Sequence, residues 1–262
     1  MRNRKGKRKL LRLIACVAAI ALLCALCSAA AFARPTKPVP IDGGDTSGEE
    51  KNEKPIGKIT NEEHEAESFF APRSSKVAGS ARLEAPRIDG RRDRFYELCK
   101  SKKALNYAFG DETESAEIWA MYDQDFLYLY IDVADPTYAC YGEVPTRKDG
   151  VELFLNESGH KSVVYEPGDS HYMILRDGSV VCGAGADVER VEYAVVETSA
   201  GYAVEIAIEW ALPASKRAEA IGFEFRINDS RGQGTRDGIL AFNDTSLRTY
   251  RDLSRIGSLE LR

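Results

Sequence analysis

The residues of this 262-residue chain that could do chemistry include three histidines, 41 carboxylates and the Gly-x-Gly segment Gly232-Gln233-Gly234. His64, His160 and His171 are too far apart in sequence to predict a metal triad. Gly232-Gln233-Gly234 is not followed by a helical pattern, so it indicates a turn rather than a phosphate-binding loop. A carboxylate pair for glycoside hydrolysis has no fixed spacing in sequence, so this chemistry stays open here.

Common catalytic motifs are absent from the sequence. It contains no Gly-x-Ser-x-Gly and no His-Glu-x-x-His, the motifs of serine hydrolases and zinc peptidases. The sequence therefore gives no sign of these two enzyme classes, and the predicted domain is smaller than most glycoside hydrolase folds.

Alternating strands must position any site in this chain. Every even position of Tyr202–Trp210 is apolar, and Ile221–Asn228 repeats the alternation with polar residues opposite. The only helix that we predict is Pro213–Ala220. Many short strands with few helices predict an all-β antiparallel β-sandwich over residues 79–262, with immunoglobulin-like or jelly-roll-like layers. We expect a core that contains Val204, Ile206, Ile208, Trp210, Phe223, Phe225 and Ile227, whereas Trp119 could face either side. The predicted strands are Ile118–Tyr122, Phe126–Val133, Val151–Asn156, Tyr172–Arg176, Val191–Thr198, Tyr202–Trp210, Ile221–Asn228, Ile239–Phe242 and Ser258–Leu261.

Four ordered motifs in these strands resemble the family 9 carbohydrate-binding modules, which are β-sandwich domains often appended to secreted xylanases. The resemblance covers about residues 81–262. It implies a non-catalytic domain that recognises the ends of xylan-like or cellulose-like plant polysaccharides. A surface interaction domain that has lost sugar binding is an alternative. The motifs are Asp149-x-Val151-Glu152, Gly201-Tyr202-x-Val204-Glu205-x-x-Ile208, Ile221-Gly222-Phe223 with Asn228-Asp229, and Ile256-Gly257-x-Leu259-x-Leu261.

The resemblance also implies a sugar site. Aromatic faces stack on pyranose rings, and planar polar groups pair with their hydroxyls. The family clamps its sugar between two tryptophans, and neither Trp119 nor Trp210 matches their positions. One of those positions falls nearest Thr146, where Tyr141 is the only aromatic close by, and the other falls in the segment of Tyr250. A family arginine is replaced by Met173. The predicted carbohydrate-binding residues are Tyr141, Glu152, His171, Arg236, Asn243 and Tyr250.

Related DOMON-like sandwiches bind haem, which gives a second alternative, a redox domain. His171 and Met173 lie two residues apart on one strand, and therefore on the same face of it. They cannot ligate a haem iron from opposite sides, so Met121 on another strand would be the second ligand of His171. Methionine in a strand is more often a core residue.

Structural calcium in the family implies that Ca²⁺ is the one cofactor of this chain. Calcium prefers oxygen ligands, which loops and strand ends supply. The sequence does not assign individual ligands among its aspartates at strand ends, which are Asp89, Asp132, Asp135, Asp149 and Asp229.

The N-terminal 33 residues have the pattern of an export signal. Seven basic residues precede the uncharged stretch Leu13–Ala33, which ends in Ala31-Phe32-Ala33. An uncleaved signal anchor is the alternative, since about 20 apolar residues span a bilayer, and residues 13–33 would then tether the protein to a membrane. Both alternatives predict a secreted or cell-surface protein, of bacterial type.

Residues 34–78 are rich in proline, glycine and acidic residues, which predicts a flexible linker with a short helical turn over Glu62–Phe70. After residue 33 the chain has 29 basic and 41 acidic residues, a net charge of −12. This charge disfavours nucleic acid and anionic membranes as partners. Cys99, Cys140 and Cys182 are an odd number, so at least one is unpaired, and the sequence does not select a pair. We expect a monomer that binds an oligo- or polysaccharide.

Overall fold

The computed structural model of this protein describes residues 66–73, 85–110, 114–232 and 234–262. These residues form thirteen strands and four short 3-10 helices, and no α-helix occurs among them. The 3-10 helices are Arg94–Leu98, Pro145–Arg147, Val188–Arg190 and Ala214–Lys216. The strands are β1 Ser68–Ala71, β2 Lys102–Ala104, β3 Asn106–Phe109, β4 Ser115–Tyr122, β5 Phe126–Ala134, β6 Gly150–Asn156, β7 Asp169–Leu175, β8 Val180–Cys182, β9 Val191–Glu197, β10 Gly201–Glu209, β11 Ala220–Asp229, β12 Gly238–Ala241 and β13 Gly257–Leu261.

The strands form two sheets. Sheet A runs in the order β1-β13-β11-β6-β7-β8, and β12 pairs with both β11 and β3. Sheet B runs in the order β2-β4-β5-β10-β9. All pairs are antiparallel except β1 with β13. Register places Arg226 of β11 opposite Glu152 of β6, which in turn lies opposite Met173 of β7.

A single apolar core lies between the two sheets and confirms the predicted β-sandwich. It combines alternate residues of β6, β7 and β11 from sheet A with those of β4, β5 and β10 from sheet B. Burial of these side chains is the main stabilising term, at about 1.5–3 kcal/mol for each large one. The core residues predicted from the alternation are all buried, namely Val204, Ile206, Ile208, Trp210, Phe223, Phe225 and Ile227.

β1 lies inside the range that the sequence analysis assigned to a flexible linker, and that boundary is wrong for this segment. Phe69 is 4% exposed in the core, and β1 pairs with β13 along four residues. The predicted helical turn is wrong for Ser68–Phe70, because pairing with β13 extends the chain there. The rest of the predicted linker up to residue 65 and over residues 74–78 lies outside the described residues, as does the predicted export signal.

The predicted helix Pro213–Ala220 is also wrong, since only Ala214–Lys216 forms a 3-10 turn. Its three residues are all exposed, so no apolar stripe holds a longer helix against a sheet. The analysis missed β2, β3 and β8, which have three or four residues each and are too short to show an alternation.

Loops cover the outer faces of both sheets. On sheet B, the Glu205 carboxylate accepts hydrogen bonds from the N–H groups of Asp89 and Gly90 at 2.9 Å, and this holds the segment before β2 over the sheet. On sheet A, Leu253 and Ile256 pack against Phe154 of β6. The outward-facing residues of sheet A are therefore buried beneath loops rather than exposed to solvent.

Cys99, Cys140 and Cys182 are each free in the structure. Among the described residues, no helix has the length and apolar character needed to cross a membrane.

Candidate functional site

A cluster of polar side chains lies on the outer face of sheet A, where β6 and β11 meet the β11–β12 loop. Glu152 Oε1 accepts a hydrogen bond from Asn228 Nδ2 at 2.8 Å and another from Arg236 Nη2 at 2.8 Å. Arg236 Nε donates to Asn228 Oδ1 at 2.8 Å, which closes the triangle. We call Glu152, Asn228 and Arg236 the polar triad. Each member fixes the other two, so the guanidinium has one defined orientation.

Exposure differs within the triad. The side chain of Glu152 is 5% exposed, and that of Arg236 is 23% exposed. The carboxylate is therefore an internal anchor, while the guanidinium is the part of the triad that meets solvent.

His171 of β7 adjoins the triad. Its Nε2 atom lies 3.6 Å from Glu152 Oε2, and its ring stacks on Phe154 with centroids 4.2 Å apart. The side chain is 4% exposed, and Nε2 has no hydrogen-bond partner among the described residues. A methyl group added at Gly183 would lie 2.4 Å from Nδ1, so the imidazole is enclosed on that side.

The ionisation of Glu152 is set by these neighbours. Burial by itself raises the pKa of the Glu152 carboxyl, but contact with His171 and the charge of Arg236 outweigh it. The pKa therefore lies well below its usual range, and Glu152 is a carboxylate at all ordinary pH values.

A second buried ion pair fixes the segment between β12 and β13. Arg226 Nη2 donates to the Asp244 carbonyl oxygen at 2.7 Å and lies 3.3 Å from Asp244 Oδ2. Thr249 Oγ1 donates to Asp244 Oδ2 at 2.6 Å, and Tyr165 Oη donates to the Thr249 carbonyl oxygen at 3.0 Å. Because Arg226 lies opposite Glu152 in register, this segment is anchored directly beside the polar triad.

Two exposed tyrosines lie on the loops at this face. Tyr250 follows the anchored Thr249 and is 39% exposed, with Arg251 Cζ 5.4 Å from its ring centroid. Tyr141 is 54% exposed and meets Tyr138 edge-on, with ring centroids 6.3 Å apart. A methyl group at Gly232 would lie 3.8 Å from the Tyr141 ring, which places this tyrosine beside the loop that carries Arg236.

Asn243 is engaged elsewhere. Its Oδ1 accepts a hydrogen bond from the Glu67 N–H at 2.9 Å, and its Nδ2 donates to the Arg255 carbonyl oxygen at 2.6 Å. Of the six predicted site residues, the printed contacts thus bring together Glu152, His171 and Arg236. Tyr141 and Tyr250 lie on the neighbouring loops, and Asn243 joins β1 to the segment before β13.

The haem alternative does not fit the fold. His171 and Met173 face outward on sheet A, since Tyr172 and Ile174 between and after them lie in the core. Met121 packs with Trp119 on the outer face of sheet B. The predicted ligand pair of His171 and Met121 is therefore wrong, because both sheets and the core separate the two side chains.

Sequence reasoning missed Asn228 and Arg226 as members of this site. Both were assigned to the polar, solvent-facing side of their strand, and both are buried, at 0% and 3% exposed. Charge complementarity is the signal that could have identified Arg226. It lies on β11 and Glu152 on β6, and antiparallel pairing of these strands places the two opposite charges side by side.

Three of the five candidate calcium ligands come together. Carboxylate oxygens of Asp135, Asp149 and Asp229 lie within 4.8 Å of one another, and all three residues are buried. Neither oxygen of Asp229 accepts a hydrogen bond among the described residues. Asp132 belongs to β5 with Glu117 and Ala203 as its pairing partners, and Asp89 bonds the Arg91 N–H, so neither joins this group.

The electrostatics of this acidic group favour a cation. Burial, followed by repulsion from Glu114, raises the pKa of Asp229 to about 7. Burial likewise raises the pKa of Asp149 to about 7. Arg176 Nη1 supplies part of the compensation, at 3.2 Å from Asp135 and 3.4 Å from Asp149. A set of buried carboxylate oxygens with raised pKa values fits the ligand preference of Ca²⁺.

Comparison with known proteins agrees with the fold. A family model described as carbohydrate family 9 binding domain-like matches residues 88–262. Endo-1,4-beta-xylanase A of Thermotoga maritima is 29% identical over 187 residues, which are 71% of this chain and 18% of the xylanase. Exoglucanase XynX of Acetivibrio thermocellus is 29% identical over 176 residues, which are 67% of this chain and 16% of the exoglucanase. The chain thus spans less than a fifth of the length of these relatives.

Solved structures show the same sandwich. A carbohydrate binding module family 9 from Caldicellulosiruptor kristjanssonii, in complex with cellotriose, superposes with a TM-score of 0.65 at 22% identity. The match covers 75% of this chain and 94% of the module. The same module in complex with glucose gives a TM-score of 0.66. At this level of identity the likeness establishes the fold.

Proposed function

Because this chain belongs to the carbohydrate family 9 binding domain-like family, we propose that it binds a plant-type polysaccharide at the loops that cover the outer face of sheet A. The observation that carries the proposal is the polar triad, in which buried Glu152 holds the partly exposed guanidinium of Arg236, while the exposed Tyr250 and Tyr141 lie on neighbouring loops. Relatives that are xylanases, and a structural neighbour in complex with cellotriose, favour ends of xylan-like or cellulose-like chains as ligands. The family consists of binding modules, so this domain is not itself an enzyme.

Each group has a role that its geometry permits. The exposed ring of Tyr250 stacks on one face of a pyranose, and Tyr141 contacts a neighbouring part of the chain. Arg236 donates to sugar hydroxyls, and Glu152 holds its guanidinium in the required plane. Asn243 does not contact the sugar in this proposal. Its two hydrogen bonds to backbone groups fix the segment that carries Tyr250. His171 supports Glu152 from below.

The affinity should be weak. Tyrosine offers a smaller stacking face than tryptophan, and only one triad member is exposed. We expect a dissociation constant on the order of 0.1–1 mM, which corresponds to about 4–5.5 kcal/mol.

Calorimetric titration with xylo- and cello-oligosaccharides tests the proposal. Tyr250→Ala and Glu152→Ala should each weaken binding about tenfold or more, whereas Tyr193→Ala, on β9 of sheet B, should leave it unchanged. Equal binding by wild type and both site variants would move the site elsewhere. A folded protein that binds none of a broad glycan set would overturn the proposal and favour an interaction domain that has lost sugar binding.

We propose further that Asp135, Asp149 and Asp229 hold a structural Ca²⁺. The support is the proximity of their oxygens, their burial and the Asp229 carboxylate, which accepts no hydrogen bond among the described residues and has Arg231 Nε 3.5 Å from its Oδ2. Bound there, the ion would neutralise the cluster and link the ends of β5, β6 and β11. Its role would be to stabilise the fold.

We also propose that the domain is exported as a monomer and acts at the cell surface or in the medium. The support is the sequence pattern of residues 1–33 together with relatives that are polysaccharide-degrading enzymes. Fractionation of expressing bacteria, with N-terminal sequencing of the exported chain, distinguishes a cleaved signal from an anchor. Retention of the chain in the cytoplasm would contradict this proposal.

A further inference from the structure

The segment that carries Tyr250 is cationic in a chain that is acidic. Between β12 and β13 the exposed charged residues are Arg248, Arg251 and Arg255, with Asp252 as the half-buried acidic residue. Asp244 also lies in this segment, but it is buried and compensated by Arg226. The whole chain carries a net charge of −5, so this local excess of positive charge runs against the average.

The arginines in the segment of Tyr250 are not held in ion pairs by the part of the fold that the structure describes, although the charge of Arg248 interacts with that of Asp252. Among the described residues, neither Arg248 nor Arg251 has a carboxylate oxygen within ion-pair distance. Two cations elsewhere are paired, Lys102 with Glu67 and Arg262 with Glu260 at 2.6 Å. The Arg251 guanidinium instead lies over the Tyr250 ring, 5.4 Å from its centroid. The Arg251 guanidinium therefore lies beside the proposed stacking ring, and Arg248, whose charge interacts with that of Asp252, lies in the same segment.

The position of these charges matches the shape of an acidic sugar. The carboxylate of a uronic acid projects from the edge of the pyranose ring, close to the plane of the ring. A sugar stacked on Tyr250 would direct such a group past the edge of the tyrosine, toward Arg251 or Arg248. Arginine binds carboxylates through paired hydrogen bonds, and a partner at the rim adds selectivity at modest cost in desolvation.

Buried contacts fix the position of the segment that carries Tyr250. Arg226, Asp244 and Thr249 fix the backbone immediately before Tyr250, and this anchor is buried. The buried Nε2 atom of His171, which has no hydrogen-bond partner among the described residues, adds a further donor or acceptor beneath the triad.

We propose that the ligand is an acidic glycan, with a uronic acid at or next to the sugar that stacks on Tyr250, and that Arg248 and Arg251 bind its carboxylate. This inference rests on the proposed function of the same site. Two exposed ion pairs should favour the acidic sugar over its neutral counterpart by about fivefold at low salt.

The test compares matched ligands by calorimetry: xylotetraose, and xylo-oligosaccharide of the same backbone length with one glucuronic acid branch. We expect the acidic ligand to bind about fivefold more tightly in about 20 mM NaCl. This preference should vanish in about 1 M NaCl, where the Debye screening length is only about 3 Å. In Arg248→Gln/Arg251→Gln the ratio of the two affinities should fall to about one. Thermal unfolding verifies that the double variant is folded.

Arg91→Gln is the matched control, an exposed arginine on the segment that covers sheet B, and it should keep the wild-type ratio. Equal affinity of the wild type for both ligands at low salt would overturn this inference and leave the proposed function standing. An acid preference that survives in the double variant would also overturn it. Binding of neither ligand would remove the proposed function and this inference together.

Discussion

The ring of Phe69 packs edge-on against Phe223, with centroids 5.4 Å apart and planes inclined at 65°. The contact inserts a residue of the N-terminal strand β1 into the core formed by β11. Phe69→Ala should lower the free energy of unfolding by about 3 kcal/mol, because it removes a buried aromatic ring and leaves a cavity. Phe70→Ala, on the opposite face of the same strand, should cost about 1 kcal/mol or less. Urea denaturation of residues 66–262 measures both, and equal costs would contradict the packing.

The boundary of the folded domain follows from β1. Limited proteolysis of the full chain should yield a protected fragment that begins before Ser68, because β1 forms a ladder with β13 and its Arg73 N–H donates to the Arg262 carbonyl oxygen. A chain of residues 66–262 should unfold at a higher temperature than one of residues 79–262. Identical melting temperatures would show that β1 adds nothing to stability.

Glu152 and Arg236 should be energetically coupled. Removing one member of a buried ion pair leaves the other charge unpaired, which typically lowers the free energy of unfolding by about 3–5 kcal/mol. Because Arg236 is partly exposed, we expect a smaller loss of about 2–3 kcal/mol for Arg236→Gln. The double variant Glu152→Gln/Arg236→Gln should lose less than the sum of the single variants, with a coupling of about 1–2 kcal/mol. Additive losses in urea denaturation at pH 7 would argue against the pairing.

Glu205 should make stability depend on pH. Burial raises the pKa of this carboxyl to about 7, above its value in the unfolded chain. The folded state therefore holds the proton more tightly, so the contribution of Glu205 to stability is complete below pH 4.5 and is lost as the pH rises through 7. Relative to Glu205→Gln, the wild type should lose roughly 2 kcal/mol between pH 4.5 and pH 8. Parallel pH profiles of the two proteins would refute this assignment.

Calcium should raise the melting temperature. A ligand at 100 times its dissociation constant stabilises the folded state by about 2.7 kcal/mol, which is about 5–10 °C for a domain of this size. The shift should be reversed by a chelator and absent in Asp229→Asn. Asp132→Asn, an exposed aspartate on sheet B, should retain it. A wild type that melts at the same temperature with calcium and with chelator would exclude a stabilising ion.

The sequence predicted the inward side of the sandwich well. The period-2 pattern of Tyr202–Trp210 and Ile221–Asn228 identified Ile206 and Phe225 as core residues. Alternate apolar side chains share one face of a strand, and that face is buried against the core. The family resemblance is confirmed by the match over residues 88–262. The short strand β1 could not be found in this way, since it has only two buried residues, Phe69 and Ala71, and its partner strand lies at the other end of the chain.

The outer side of sheet A was less accessible to prediction. Glu224 and Arg226 alternate with core residues, which indicates a second face but not whether loops cover it. The structure shows that the loops are held there by these very residues: Glu224 accepts the N–H groups of Asn243 and Asp244 at 2.8 Å, and Arg226 binds Asp244. Such contacts join separate parts of the chain and depend on tertiary structure. The spacing of residues in the sequence therefore does not predict them.

The pairing of β1 with β13 also protects the sandwich from self-association. Without β1, the backbone of β13 would be an open edge with Leu259 and Leu261 alongside, and such an edge templates pairing with a strand of another molecule. β1 replaces it with an edge of four residues that ends at Pro72, whose nitrogen has no hydrogen to donate. A chain cut after Arg73 would therefore be prone to edge-to-edge polymerisation. It would aggregate under conditions in which the sandwich is still folded.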